Sequence, residues 1–175
     1  DAQLFWRTGS FNADIAAMSR KWMRDVRDAQ TPEGAFTNTS PTVGAGWEGP
    51  GTPGWADAGV IVPWTAWLQY GDTGIIADNW DAMEKHMAYV EGGNPDYLWK
   101  NRVAQNLGDW LPVGSQTPQD LAATAYWAYS ASRMAQMAQA LGRRADADRY
   151  QALFERIRAA FERAYIREDG VIGSG

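Results

Sequence analysis

The chain has 175 residues and a formal net charge of −5, with an isoelectric point near 4.8, which excludes a phosphate-tracking nucleic-acid binder built on a basic stripe. Its hydrophobic fraction of 45% and charged fraction of 21% are those of a globular domain with one sizeable core, not of a disordered chain. Cysteine is absent and His86 is the single histidine, so disulfides, thiol nucleophiles and Cys- or His-rich metal centres lack their ligands, and no cofactor is expected.

From Ala2 to Asp28 the residues Leu4, Phe5, Phe11, Ile15, Met18, Trp22, Met23 and Val26 recur at helical spacing. They predict one long amphipathic helix with Gly9 as its weak point. The stretch Ala29 to Gly54 carries five glycines and four prolines counted up to Pro53 with Gly54 following, a density that forbids regular structure. An ordered loop of that length is a candidate wall for a ligand site. A helix follows from about Asp57 to Tyr70, with Pro63 tolerable near its start, and Gly71 stops it. After Asp72 and Thr73 a second helix runs to about Val90, so the short joint makes an antiparallel hairpin. Within the irregular stretch Glu91 to Thr117, Tyr97–Lys100 and Ala104–Leu107 are candidate short strands. Thr117-Pro118-Gln119-Asp120 then opens a helix, in the style of an N-cap followed by a first-turn proline, that runs to Leu141 and is ended by Gly142. A last helix occupies about Asp146 to Tyr165. Trp80 and Tyr150 hold similar places in the second helices of the two hairpins, a repeat expected of an all-α toroid whose long loops meet at one end. Five helices are fewer than half of a twelve-helix ring, so open faces are expected.

No stretch approaches the run of about 18 apolar residues needed to cross a bilayer, and no membrane partner is expected. The opening residues show no signal-peptide pattern, although a processed leader is compatible with a start at Asp1. Lack of cysteine suits cytosol and exterior alike. The Arg residues from Arg143 to Arg163 alternate with Asp and Glu, as on a solvated helix face.

Two Trp–carboxylate clusters stand where loops meet helices: Gly54-Trp55-Ala56-Asp57-Ala58-Gly59 and Gly108-Asp109-Trp110. The chain holds 10 Trp, more than a core of this size needs. An indole face attracts the weakly positive C–H edges of a pyranose, and a neighbouring carboxylate accepts hydrogen bonds from its hydroxyls. These clusters read as a sugar-binding surface, against the alternative that the indoles plug helix ends, that Asp57 caps the following helix and that Asp109 forms an Asx turn. Trp47 with Glu48 and Trp99 are further loop candidates for sugar contact. Trp6, Trp22, Trp64, Trp67, Trp80 and Trp127 fall at helical periodicity and read as core. His86, between Lys85 and Met87, reads as a solvated surface residue without chemistry.

Asp1-Ala2-Gln3, Trp22–Gln30, Pro32-Glu33-Gly34, Gly54–Ala58, Gly108–Leu111, Thr124-Ala125-Tyr126 and Ala140-Leu141-Gly142 occur in this order. In that combination the chain resembles the bacterial α-L-rhamnosidases of glycoside hydrolase family 78 over nearly its whole length. The resemblance implies that residues 1–175 form the central part of an (α/α)6 catalytic domain that releases terminal L-rhamnose with inversion. It implies a substrate pocket to which Asp1, Trp55, Asp57, Asp109 and Trp110 belong, an L-rhamnose-containing glycoside as ligand, and the remainder of the barrel as structural partner. The family's general acid precedes the position matched by Asp1, and its general base follows residue 175, so both are expected outside this chain. A carbohydrate-binding fragment without turnover, another (α/α)6 glycosidase and a helical-repeat interaction module are the competing readings. The last predicts short, uniform loops, which Ala29–Gly54 and Glu91–Thr117 are not.

Overall fold

In the computed structural model, which describes residues 1–44, 48–105 and 107–173, six helices account for the regular structure: α1 (Ala2–Asn12), α2 (Ala16–Asp28), α3 (Ala58–Tyr70), α4 (Gly74–Gly93), α5 (Gln119–Ala140) and α6 (Arg144–Tyr165). α3 packs against α1, α2, α4 and α5, while α5 pairs along its length with α6. The odd-numbered helices thus adjoin one another in sequence, with α2, α4 and α6 behind them, an arc of an α/α barrel as expected. The first helix is two, and the break falls at Ala13–Ile15 instead of Gly9. Ala13 is extended, with φ −153° and ψ 156°, the Asp14 carboxylate accepts the Ala16 N–H at 3.0 Å, and the Ile15 N–H donates to the Tyr70 hydroxyl at 2.9 Å. Gly9 stays helical and buried because Ile15 folds back over it: a Cβ there would lie 3.3 Å from Ile15 Cδ1. Ser19 closes the corner, accepting from Trp6 Nε1 at 2.7 Å and donating to the Ile15 carbonyl at 2.8 Å.

α3 ends as its glycine predicts, with Gly71 at φ 69° and its N–H on the Trp67 carbonyl at 2.7 Å. Asp72 then accepts the Gly74 N–H at 2.8 Å and pairs with Arg20, which ties α2 to the start of α4. The repeat between hairpins has a physical counterpart, since Trp80 and Tyr150 meet edge-on with centroids 6.1 Å apart. At α5 the proline is one place earlier than expected: Pro118 is the N-cap residue, with ψ 131°, and the Thr117 hydroxyl donates to Asp109 Oδ2 at 2.9 Å.

No strands form among the described residues. Over the candidate strand Tyr97–Lys100, Tyr97 is left-handed at φ 61°, and the fully buried Asn94 takes the role a partner strand would have had. Its Oδ1 accepts the N–H groups of Lys100 and Asn101, each at 2.9 Å, while its Nδ2 donates to the Val90 and Asn101 carbonyls. In the second candidate strand Ala104 is left-handed at φ 50°, and Asn106 lies outside the described residues. Trp99 is 1% exposed and belongs to the core, not to a sugar surface. Its backbone N–H is held by the Thr124 hydroxyl at 2.9 Å. Trp47 lies outside the described residues.

His86 also departs from expectation, being 2% exposed. It stacks on Phe36 at 4.8 Å, accepts the Phe36 N–H at Nδ1, and so pins the first long loop to α4. Burial pushes its pKa down to about 4. A folded pKa below the unfolded 6.5 means the unfolded chain takes up the proton first as pH falls. The stabilisation is therefore complete above pH 6.5 and is lost toward pH 4, by about 3 kcal/mol. Urea denaturation between these limits is expected to show this slope in the wild type and its absence in His86→Gln; equal slopes would show that His86 is not the group responsible. A second expectation concerns Gly59, where a Cβ would sit 2.2 Å from Phe36 Cδ2. Phe36 is 1% exposed and cannot swing away. Gly59→Ala is expected to cost about 2 kcal/mol despite the helix-propensity gain of about 1 kcal/mol, readable as a lowered Tm.

Candidate functional site

The segment leading into α3 turns sharply. Gly54 is left-handed at φ 85°, and the N–H groups of Trp55 and Ala56 both reach the Thr52 carbonyl, at 3.1 and 3.0 Å. This turn presents the half-buried Trp55 at the mouth of the helical arc. On the other side, Gly108 and Leu111 are left-handed at φ 60° and 59°, and these reversals flank Asp109 and Trp110. A Cβ on Gly108 would come 2.8 Å from Gln119 Cγ, so glycine lets this loop lie on the start of α5. Asp1 stands at the N-cap of α1, where its carbonyl accepts the Leu4 and Phe5 N–H groups at 3.2 and 3.1 Å.

These pieces converge on a cleft of about 440 Å³, a volume suited to a small ligand. Four of the five sequence-predicted residues, Asp1, Trp55, Asp109 and Trp110, line it. Trp110 is 60% exposed, and Asp109 is steadied by the Thr117 hydroxyl instead of by a local Asx turn. Asp57 is not brought to that wall. It is 1% exposed, accepts the Gly54 N–H at Oδ2 (2.8 Å) and the Ser130 hydroxyl at Oδ1 (2.7 Å), and occupies the N-cap position of α3 without a forward side-chain cap. Burial raises its pKa, opposed by those two hydrogen bonds.

Gln3, Leu4 and Tyr126 also line the cleft and were not singled out as site residues from sequence. Tyr126 packs its ring 3.1 Å from where a Gly54 Cβ would be, and burial together with the nearby Asp57 charge raises its phenol pKa. The signal for it lay in spacing: Tyr126, Tyr129 and Ser130 fall on one face of α5 at i, i+3 and i+4. The same face continues into an apolar cavity of about 330 Å³ between α1, α3 and α5, lined by Gln3, Leu4, Ile61, Ala125, Tyr126 and Tyr129. No group of three acidic or imidazole side chains able to hold a metal occurs among the described residues, and no helix among them is long and apolar enough to cross a membrane.

Residues 1–175 match the model of the bacterial alpha-L-rhamnosidase six-hairpin glycosidase domain. The chain belongs to this family. It is 43% identical over 172 residues to an alpha-L-rhamnosidase of Streptomyces avermitilis, covering 98% of this chain and 16% of that protein, and 32% identical to one of Formosa agariphila, covering 98% of this chain and 19% of that protein. Among solved structures, the Streptomyces avermitilis alpha-L-rhamnosidase complexed with L-rhamnose superposes with a TM-score of 0.90 at 42% identity, covering 98% of this chain and 16% of that one. The alpha-L-rhamnosidase of Dictyoglomus thermophilum does so with a TM-score of 0.85 at 28% identity, covering 96% of this chain and 19% of that one. The chain thus spans less than a fifth of the length of these relatives.

The cleft indole Trp110 and the core indole Trp127 differ sharply in exposure, 60% against 1%. Trp110→Ala is expected to change stability by no more than about 0.5 kcal/mol, as for an exposed position. Trp127→Ala, at 1% exposure, is expected to cost about 3–5 kcal/mol. Urea titrations of the two variants check the contrast.

Proposed function

We propose that the chain is the central part of the catalytic domain of an inverting α-L-rhamnosidase, and that its cleft holds the terminal non-reducing L-rhamnose of a rhamnoside. The observation that carries this reading is the convergence of Asp1, Trp55, Asp109 and Trp110 on one cleft at the loop end of the helical arc. A relative with the same fold over this region has been solved complexed with L-rhamnose.

Each residue type fits a part of the task. The indoles offer flat faces to the pyranose C–H edges and to the C6 methyl, whose burial contributes about 0.8 kcal/mol in favour of a deoxy sugar. Asp1 and Asp109 accept hydrogen bonds from ring hydroxyls, and their charge stabilises the oxocarbenium-like transition state. Inversion needs a general acid and a general base about 6.5–9.5 Å apart across the glycosidic bond. These two are expected on the remainder of the barrel, outside the chain, whose share is recognition.

In the full-length protein carrying this chain, cleavage of a chromogenic α-L-rhamnoside is expected, with β-L-rhamnose as the first product in proton NMR. Trp55→Ala and Trp110→Ala are each expected to weaken L-rhamnose binding about tenfold, as loss of a stacking face does elsewhere. Unchanged binding in both variants would refute the pocket, and initial release of the α-anomer would refute inversion.

A further inference from the structure

Asp57 is a buried carboxylate without access to the cleft, and the recognition role outlined above leaves it without a task. Its surroundings give it one. Gly54, the residue before Trp55, is gripped from three helices. Gln3 of α1 donates through Nε2 to the Gly54 carbonyl. Asp57, at the head of α3, accepts the Gly54 N–H at 2.8 Å. Tyr126 of α5 closes over the Gly54 Cα, leaving only 3.1 Å for a Cβ. The second Asp57 oxygen accepts from Ser130 of α5 at 2.7 Å, and Ser130 is itself 1% exposed. The turn that aims Trp55 is thereby fastened to α5, the helix that supplies Tyr126 and Ala122 to the opposite wall of the cleft.

We infer that Asp57, held by Ser130, is a positioning residue that fixes the Gly54–Trp55 turn and so sets the Trp55 indole against the sugar, in place of touching the sugar itself. This rests on the reading of the cleft as a rhamnose site. The geometry requires an acceptor for the Gly54 N–H and a partner for the Ser130 hydroxyl, and a negative charge is not needed for either. Asparagine satisfies both: its amide oxygen accepts the Gly54 N–H, and its amide nitrogen donates to the Ser130 oxygen, which can accept as well as donate. A carboxylate whose negative charge acted on the oxocarbenium-like transition state would have no such substitute. Alanine leaves the turn unfastened, and a displacement of about 1 Å at a recognition residue is enough to cost one to two orders of magnitude.

The test uses the full-length protein with Asp57→Asn, Asp57→Ala, Ser130→Ala and Trp55→Ala, each first shown by melting to be folded at the assay temperature. Two readouts are taken. The first is ligand-free: in 5-fluorotryptophan-labelled protein, the Trp55 fluorine resonance is assigned by its loss in Trp55→Phe. Asp57→Ala is expected to shift or broaden it, Ser130→Ala to do so less, and Asp57→Asn to leave it in place. The second is L-rhamnose affinity, with KM and kcat on a chromogenic α-L-rhamnoside. Asp57→Ala is expected to weaken binding about tenfold, mostly through KM, with Asp57→Asn within about threefold of wild type, and the double variant Trp55→Ala/Asp57→Ala no weaker than Trp55→Ala alone, as for residues acting through one another. An unmoved Trp55 resonance in Asp57→Ala and Ser130→Ala overturns the inference, as do additive losses in the double variant or an Asp57→Asn as damaged as Asp57→Ala. Should Asp57→Ala fail to fold, Ser130→Ala decides by the same resonance and by its own cycle with Trp55→Ala. Should the wild type bind no L-rhamnose, the site reading fails, while the fluorine resonance still decides whether Asp57 holds the turn.

Discussion

The burial of the first half of α3 on all sides is the constraint from which the rest of the structure follows. Ala58 to Pro63 are all buried, enclosed by α1, α2, α4 and α5. A helix whose first turns have no solvent face has little freedom to rotate or slide there, because each surface is matched to a different neighbour at close packing. Val60, Ile61 and Val62 alone contribute about 1.5–3 kcal/mol each relative to exposure. The head of such a helix is a fixed point, and the turn carrying Trp55 is attached there. Gly59 shows how close the packing is, since Phe36 of the preceding loop occupies the space a side chain would have needed.

Buried polar side chains extend that rigidity into segments that have no regular structure. Asn94, Thr124, Asp57 and Ser130 are all at most 1% exposed, and each of them hydrogen-bonds to irregular backbone or to a partner that does. An unpaired polar group in such a place would be costly, which makes each of these bonds a strong local specification of chain path. The described parts of the loops between hairpins are therefore held by side chains of neighbouring helices, beside the isolated bridge between Thr37 and Pro50. Rigid helices with loops fastened to them in this way are a scaffold on which recognition residues can be held at fixed separation.

What the sequence disclosed follows from which forces are local. Helical periodicity and the glycines at 71 and 142 mark the hairpins, because a left-handed stop is a property of the residue itself. The break between α1 and α2 was hidden because its decisive donor–acceptor pair joins Ile15 to Tyr70, 55 positions away. The absence of strands among the described residues was hidden for a related reason: Asn94 satisfies backbone groups that would otherwise have called for a partner strand. His86 was misread from its charged neighbours Glu84 and Lys85, although Ala82, Met83 and Val90 at i−4, i−3 and i+4 place it on the buried face. In the cleft, the tryptophan and acid pairs were legible as clusters. Their geometry was not, since Trp55 and Asp57, two residues apart at a helix entrance, point to different surroundings.

The tryptophans show why composition alone could not separate recognition from stability. The indoles of Trp80, Trp99 and Trp127 are each 1% exposed and lie in the core, where their area stabilises the fold and where no ligand reaches them. Trp55 is half-buried and Trp110 is 60% exposed, and both line the cleft, whereas Trp22, Trp64 and Trp67 are as half-buried as Trp55 but pack against the core. A sugar needs a free ring face, because its attraction to an indole comes from C–H groups laid flat on the ring and not from enclosure on every side. Full burial and an open ring face cannot be had by the same side chain, and partial burial alone does not tell which of the two a tryptophan serves. What distinguishes a tryptophan that lines the cleft from one that packs in the core is therefore where its backbone falls in the tertiary structure, which residue counts do not contain.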